Sequence, residues 1–145
     1  MANRINLHEL EPNAYKAMYA LEDYLRNSSL STLEIELIKI RASQINGCAH
    51  CLNMHTEDAI KLGEDPRRIF LMSVWRETGV FSEKEQVLLA VTEEVTLIHE
   101  KGLTDATYNW AIKVLDEHYL GQVIMAVTVI NAWNRIAIST GLRVS

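Results

Sequence analysis

The chain has 145 residues, 48% of them apolar and 23% charged, with a formal charge of −5 at neutral pH. That size fits a single domain, residues 1–145, able to bury roughly 70% of the surface its unfolded form exposes. The acidic balance argues against a nucleic-acid partner, which needs a basic patch. No apolar run approaches the ~20 residues that span a membrane, and residues 1–10 lack the basic-then-apolar layout of a signal peptide. No membrane role is expected, and the expected location is the cytoplasm.

Only 6 glycines and 2 prolines punctuate the chain, and period-2 alternation is almost absent, so the elements read as helices. The first covers residues 13–26, with Tyr15, Met18, Tyr19 and Leu21 as apolar positions. Asn27-Ser28-Ser29 breaks it. Ser31-Thr32-Leu33-Glu34 has the form of a capping box and opens a second helix to about Gln44. Asn46-Gly47 is a stop, because both residues tolerate left-handed backbone angles. A third helix starts around Cys48 and ends at Gly63. Asp65-Pro66 supplies an N-cap and first position for a short fourth. Ser82-Glu83-Lys84-Glu85 is a second capping box, opening a helix to about His99, with Gly102 beyond it. Thr104 begins the next, to about Leu115. The last spans residues 120–139, is closed by Gly141, and is apolar nearly all round. Such a helix belongs at the centre of a bundle or at a subunit contact. The expectation is an all-α bundle of six or seven helices.

The chemistry concentrates at residues 48–55, Cys48-Ala49-His50-Cys51-Leu52-Asn53-Met54-His55, which hold both cysteines of the chain. On a helix, Cys48, Cys51 and His55 fall at i, i+3 and i+7 and share one face. Two thiols at this spacing can close a short disulfide ring and reopen it. His55 stands one turn beyond Cys51, placed to take its proton, and the thiolate is the reactive form. In a reducing compartment such a pair is catalytic or metal-binding rather than a structural staple. Two other readings stay open: inert buried thiols, or three zinc ligands in Cys48, Cys51 and His55. Structural zinc wants four ligands, and no second Cys/His pair is present. Cys48 lies near a helix N-terminus, where orphan N–H groups favour an anion, whereas the histidine argument activates Cys51. Cys51, one turn in, is expected to be the less exposed. His50 points elsewhere on the wheel, as a solvated or supporting residue.

A histidine base works better with a carboxylate to orient it. Glu36 borders the apolar stripe Leu33, Leu37, Ile40 of the second helix. Periodicity alone favours a solvated edge there over a relay carboxylate. Glu34 and Arg41 lie between apolar arcs of the same helix and suggest a structural ion pair. Trp75-Arg76 and Trp133-Asn134-Arg135 read as core or interface anchors, with pocket walls as the alternative, and Tyr15 and Tyr19 add aromatic surface. Glycine-rich phosphate loops, G-x-S-x-G and H-E-x-x-H are absent from the sequence.

Taken together, Glu36, Cys48, His50, Cys51 and His55 form the pattern E-x(11)-C-x-H-C-x(3)-H. It resembles the AhpD-like alkylhydroperoxidases of the carboxymuconolactone decarboxylase superfamily. Glu36-Leu37-Ile38-Lys39-Ile40-Arg41 before Asn46-Gly47-Cys48, and Asn131-Ala132-Trp133-Asn134-Arg135, are similar too. The resemblance is strong over residues 31–63 and general elsewhere. It implies an all-α fold assembling as homo-oligomers, often trimers or hexamers. It implies a relay in which Glu36 and His55 help deprotonate Cys51, which attacks a hydroperoxide, while Cys48 resolves the sulfenic acid as a disulfide. His50 is supporting at most. Neither metal nor organic cofactor is implied. The reductant is left open among a lipoyl-bearing protein, a thioredoxin-like partner and a small thiol. Acid–base decarboxylase or isomerase chemistry on His55 and Glu36, and a non-enzymatic redox-responsive or metal-binding module, are the rival readings.

Overall fold

The computed structural model describes residues 4–144. Residues 1–3 of the N-terminal stretch, and residue 145, lie outside the described residues. Among the described residues every regular element is helical. The α-helices are α1 (Leu7–Leu10), α2 (Pro12–Arg26), α3 (Thr32–Asn46), α4 (Ala49–Lys61), α5 (Pro66–Leu71), α6 (Glu83–Thr96), α7 (Asp105–Val114) and α8 (Glu117–Thr140), and a 3₁₀ segment, Met72–Glu77, follows α5. The all-α expectation holds. Helix α1 and the 3₁₀ segment are additions, too short to carry a periodic signal.

Local chemistry sets the boundaries. Ser31 Oγ accepts the Glu34 N–H at 3.1 Å while the Glu34 carboxylate accepts the Ser31 N–H at 2.7 Å. The reciprocal pair at Ser82 and Glu85 measures 3.2 and 2.8 Å. Both capping boxes satisfy two donors that a helix start otherwise orphans. Helix α6 stops at Thr96, short of the expected His99, and α8 begins earlier than expected because Asp116 caps it through the Tyr119 N–H at 2.7 Å.

The α3–α4 turn matters most for the site. Gly47 closes α3 at φ +69°, a left-handed angle that a Cβ disfavours. Gly47→Ala is therefore expected to destabilise the fold by about 1 kcal/mol, read as a lower urea midpoint at unchanged m-value. Nothing crowds the added methyl group, so the cost is one of backbone conformation.

Helices α3 and α8 form the centre. Helix α3 packs on α4, α6 and α8 and is buried on all sides through Ile35, Leu37, Ile38, Ile40 and Ala42. Its weak amphipathicity has this cause: neighbours cover every face. Helix α8, at 24 residues, is long and apolar enough by length and composition to cross a membrane, which corrects the sequence expectation that no segment reaches that length. Its inward residues, among them Val123, Val127 and Ile130, are packed against α2, α3, α6 and α7. That is the pattern of a core helix.

The expected Glu34–Arg41 ion pair does not form. Arg41 Nε bonds Glu93 of α6 at 2.9 Å, and Glu34 pairs with Lys84 Nζ at 2.7 Å and accepts the Tyr119 hydroxyl. Both partners arrive from elsewhere in the fold. Burial pushes the Glu34 carboxyl up, but the Lys84, Tyr119 and Ser31 hydrogen bonds outweigh it and hold it below the usual value. Trp75 is a core anchor, donating to Glu93 at 2.9 Å with the Arg76 guanidinium stacked 4.1 Å over its ring.

Candidate redox and proton-transfer site

Three segments meet at the site. Helix α3 brings Glu36, the Gly47-Cys48 turn brings Cys48, and α4 brings Cys51 and His55. Cys48 is the N-cap of α4 rather than a member of it, with extended backbone angles. Cys51 and His55 thus share a helix face one turn apart, while Cys48 reaches over from the cap. The two cysteines form a disulfide with Cα atoms 5.4 Å apart, inside the ordinary range for such a bond. The Cys51 N–H points at Cys48 Sγ, 3.4 Å away. In this oxidised form neither sulfur is a zinc ligand.

Exposure does not separate the two sulfurs as expected: Cys48 is 2% exposed and Cys51 3%. What differs is the surface each meets. Cys51 lines a cavity of about 500 Å³, and Cys48 is not among its lining residues.

Glu36 is buried, not the solvated edge that periodicity favours, and its Oε2 lies 2.7 Å from Nδ1 of the buried His55. Helix α4 packs across α3 and converts an edge position into an interior one. A carboxylate on Nδ1 fixes the imidazole's orientation and leaves Nε2 to exchange a proton with a neighbour. Cys51, His55 and Glu36 all line the same cavity. His50 lines it as well, contrary to the helical-wheel expectation that it points away.

Part of the cavity lining is aromatic. Tyr15 and Tyr19 of α2 pack on Trp133 of α8, with ring centroids 5.5 and 5.8 Å apart. Tyr15, Tyr19 and Trp133 therefore serve as pocket walls. Beside them, also lining the cavity, Lys39 Nζ pairs with Glu22 at 2.6 Å, and the Trp133 indole donates to the other Glu22 oxygen at 2.9 Å. This ties α2 to α3 and α8 through one half-buried carboxylate.

Removing one partner of such a pair leaves a charge short of solvent. Lys39→Met is expected to cost about 2–3 kcal/mol, at the lower end for a buried pair because Glu22 keeps some contact with water. Glu22→Leu in the same chain should recover most of that loss, and urea unfolding of the wild type and the two variants checks both statements.

The sequence reading missed Lys39, Glu22 and Asp58. Lys39 was signalled by its setting between Ile38 and Ile40, an odd place for a solvated lysine. Asp58 stands one turn beyond His55, and donor atoms of Glu36, His55 and Asp58 lie within 4.8 Å of one another. These three are the residues of the site that could hold a cation, one imidazole with two carboxylates.

Comparison with known proteins places this geometry. The family model described as the carboxymuconolactone decarboxylase family matches residues 12–94, which include all five residues of the E-x(11)-C-x-H-C-x(3)-H pattern. The uncharacterized protein YdfG of Bacillus subtilis (strain 168) is 39% identical over 143 residues, covering 99% of this chain and 97% of that protein. A crystal structure from Agrobacterium tumefaciens, of a protein of unknown function named as a candidate antioxidant defence protein AhpD, superposes with a TM-score of 0.94 at 39% identity, over 99% of both chains. An uncharacterized peroxidase-related protein from Silicibacter sp. TM1040 shares the fold at a TM-score of 0.79 and 22% identity, over 92% of this chain and 71% of that one. With its helical fold and its paired cysteines, the chain belongs to the carboxymuconolactone decarboxylase family, within its AhpD-like group.

Proposed function

We propose that this protein is a thiol peroxidase that reduces hydroperoxides through Cys51 and Cys48. The observation that carries the reading is the arrangement at the cavity: Cys51 lines it together with a Glu36–His55 pair bonded at 2.7 Å, and Cys48 closes a disulfide onto Cys51 from outside the lining. In the reduced protein His55, oriented by Glu36, takes the Cys51 proton. The Cys51 thiolate attacks the outer peroxide oxygen, the O–O bond breaks, and the alkoxide leaves with that proton as an alcohol. Cys51 is then a sulfenic acid. Cys48 attacks the Cys51 sulfur, water departs, and the disulfide forms. An external dithiol reopens it by two exchange steps and is itself oxidised.

The helix N-terminus and the Cys51 N–H favour negative charge on Cys48, which suits it to attack as a resolving thiolate and to leave during reduction. The cavity on the Cys51 side supports Cys51 as the peroxide's target. Assembly into trimers or hexamers, and a cytoplasmic location, belong to the same reading. The test is catalytic consumption of an organic hydroperoxide with dihydrolipoamide or dithiothreitol as donor. Turnover through many cycles is expected, and none at all would sink the proposal.

One observation favours a second reading. The Glu36–His55 pair is fully formed while the cysteines are oxidised, so acid–base chemistry on a cavity-bound substrate does not need the thiols. Such an activity would survive Cys48→Ser and Cys51→Ser together.

A further inference from the structure

Helix α8 is apolar through most of its buried length, yet it carries two buried asparagines one turn apart, Asn131 and Asn134. Asparagine is a poor helix former, and a buried amide costs free energy unless its hydrogen bonds are met. Both are met, and by the same neighbour. The Asn46 Nδ2 group donates to Asn131 Oδ1 at 2.9 Å and to Asn134 Oδ1 at 2.8 Å. Asn134 Nδ2 donates onward to the buried Ser43 Oγ at 3.0 Å. Asn131 Nδ2 donates to Thr96 Oγ1 at 3.0 Å, and Arg135 donates to Asn131 Oδ1 at 2.9 Å. One connected network therefore joins α8, α6 and the last turn of α3.

Its position gives it a use. Asn46 directly precedes Gly47 and Cys48. The Ser43 carbonyl accepts the Cys48 N–H at 3.1 Å, while the Ser43 hydroxyl is held by Asn134. Cys48 caps α4 from outside it, its carbonyl accepting the Leu52 N–H at 2.9 Å and its sulfur the Cys51 N–H at 3.4 Å. On its other side the Gly47 turn sets the path of the chain into that cap, and the network holds Asn46, the residue before the turn.

We propose that Asn46, Asn131 and Asn134 are positioning residues for the redox pair, a clasp that holds the Gly47-Cys48 turn so that the Cys48 sulfur meets that of Cys51. This rests on the reading of Cys48 and Cys51 as a working dithiol. The clasp acts by raising the effective concentration of one thiol at the other, which is what closes a ring in preference to leaving it open. Loosening it favours the open dithiol.

The experiment is the equilibrium between dithiol and disulfide in dithiothreitol redox buffers, well below the melting temperature, with no peroxide present. Asn46→Ala and Asn134→Ala are each expected to weaken disulfide formation about tenfold, equivalent to about 30 mV for a two-electron couple. Val123→Ala, which hollows the same buried helix without touching the clasp, is the control and should leave the equilibrium unchanged. Asn46 sits at a helix end, so its variant serves if Asn134→Ala does not fold. Equilibria within twofold of wild type for the clasp variants would overturn the proposal. So would an equal shift in Val123→Ala, which would assign the effect to general loosening. Because no hydroperoxide is used, either result is independent of whether the protein is a peroxidase.

Discussion

Cys51→Ser is expected to reduce hydroperoxide consumption to background, a loss of about a thousand-fold or more, as removal of a nucleophile does elsewhere. Cys48→Ser is expected to behave differently. It keeps the cavity-lining sulfur and loses the partner that closes the ring. It should therefore consume about one equivalent of peroxide rapidly and then stall, or continue only as fast as an external thiol resolves the sulfenic acid. Rapid-mixing measurements with an organic hydroperoxide separate the first turnover from later ones. The asymmetry is the informative part. A structural role for the disulfide would make both variants equally slow, whereas the cavity placement predicts that only Cys51→Ser loses the first turnover.

The second large effect concerns Glu36 and His55. Glu36→Gln keeps the shape and burial of the side chain but not its negative charge, and His55→Asn removes the base. Each is expected to slow the first turnover about a hundred-fold at neutral pH, the usual contribution of a positioned base. The two should not add, because they serve one proton path: the double variant should be about as slow as the slower single one. Raising the pH should restore much of the rate, since an unassisted thiol ionises on its own near pH ~8.5. Rescue by pH distinguishes a lost base from a damaged fold. Stopped-flow rates between neutral and mildly alkaline pH, with urea midpoints for each variant, make the distinction.

What the sequence disclosed was what neighbours in the chain decide. The capping boxes at Ser31 and Ser82, the stop at Gly47 and the caps at Asp65 and Thr104 depend on contacts a few residues apart, and all appear where expected. The Cys51–His55 relation is equally local. Glu36 was the hard case. Its place on the helix wheel is an edge, and only α4 lying across α3 buries it against His55. Arg41 shows the same limit, since Glu93 reaches it from 52 residues away. Lys39 and Glu22 form a pair that two separate helices must bring together. Helix α1 and the 3₁₀ segment, at 4 and 6 residues, are too short for a helical period to repeat several times. For His50 the wheel gives a direction but not the cavity that lies there.

The Cys51 sulfur is the atom proposed to meet the peroxide. Reduced Cys48→Ser protein, treated with one equivalent of organic hydroperoxide and then with a sulfenic-acid trap, tests it by mass spectrometry of the peptide that holds residue 51. Near-complete trapping at Cys51 is expected, slowed strongly when Glu36→Gln is added. An untouched Cys51 thiol after the hydroperoxide has been given time to react would contradict it.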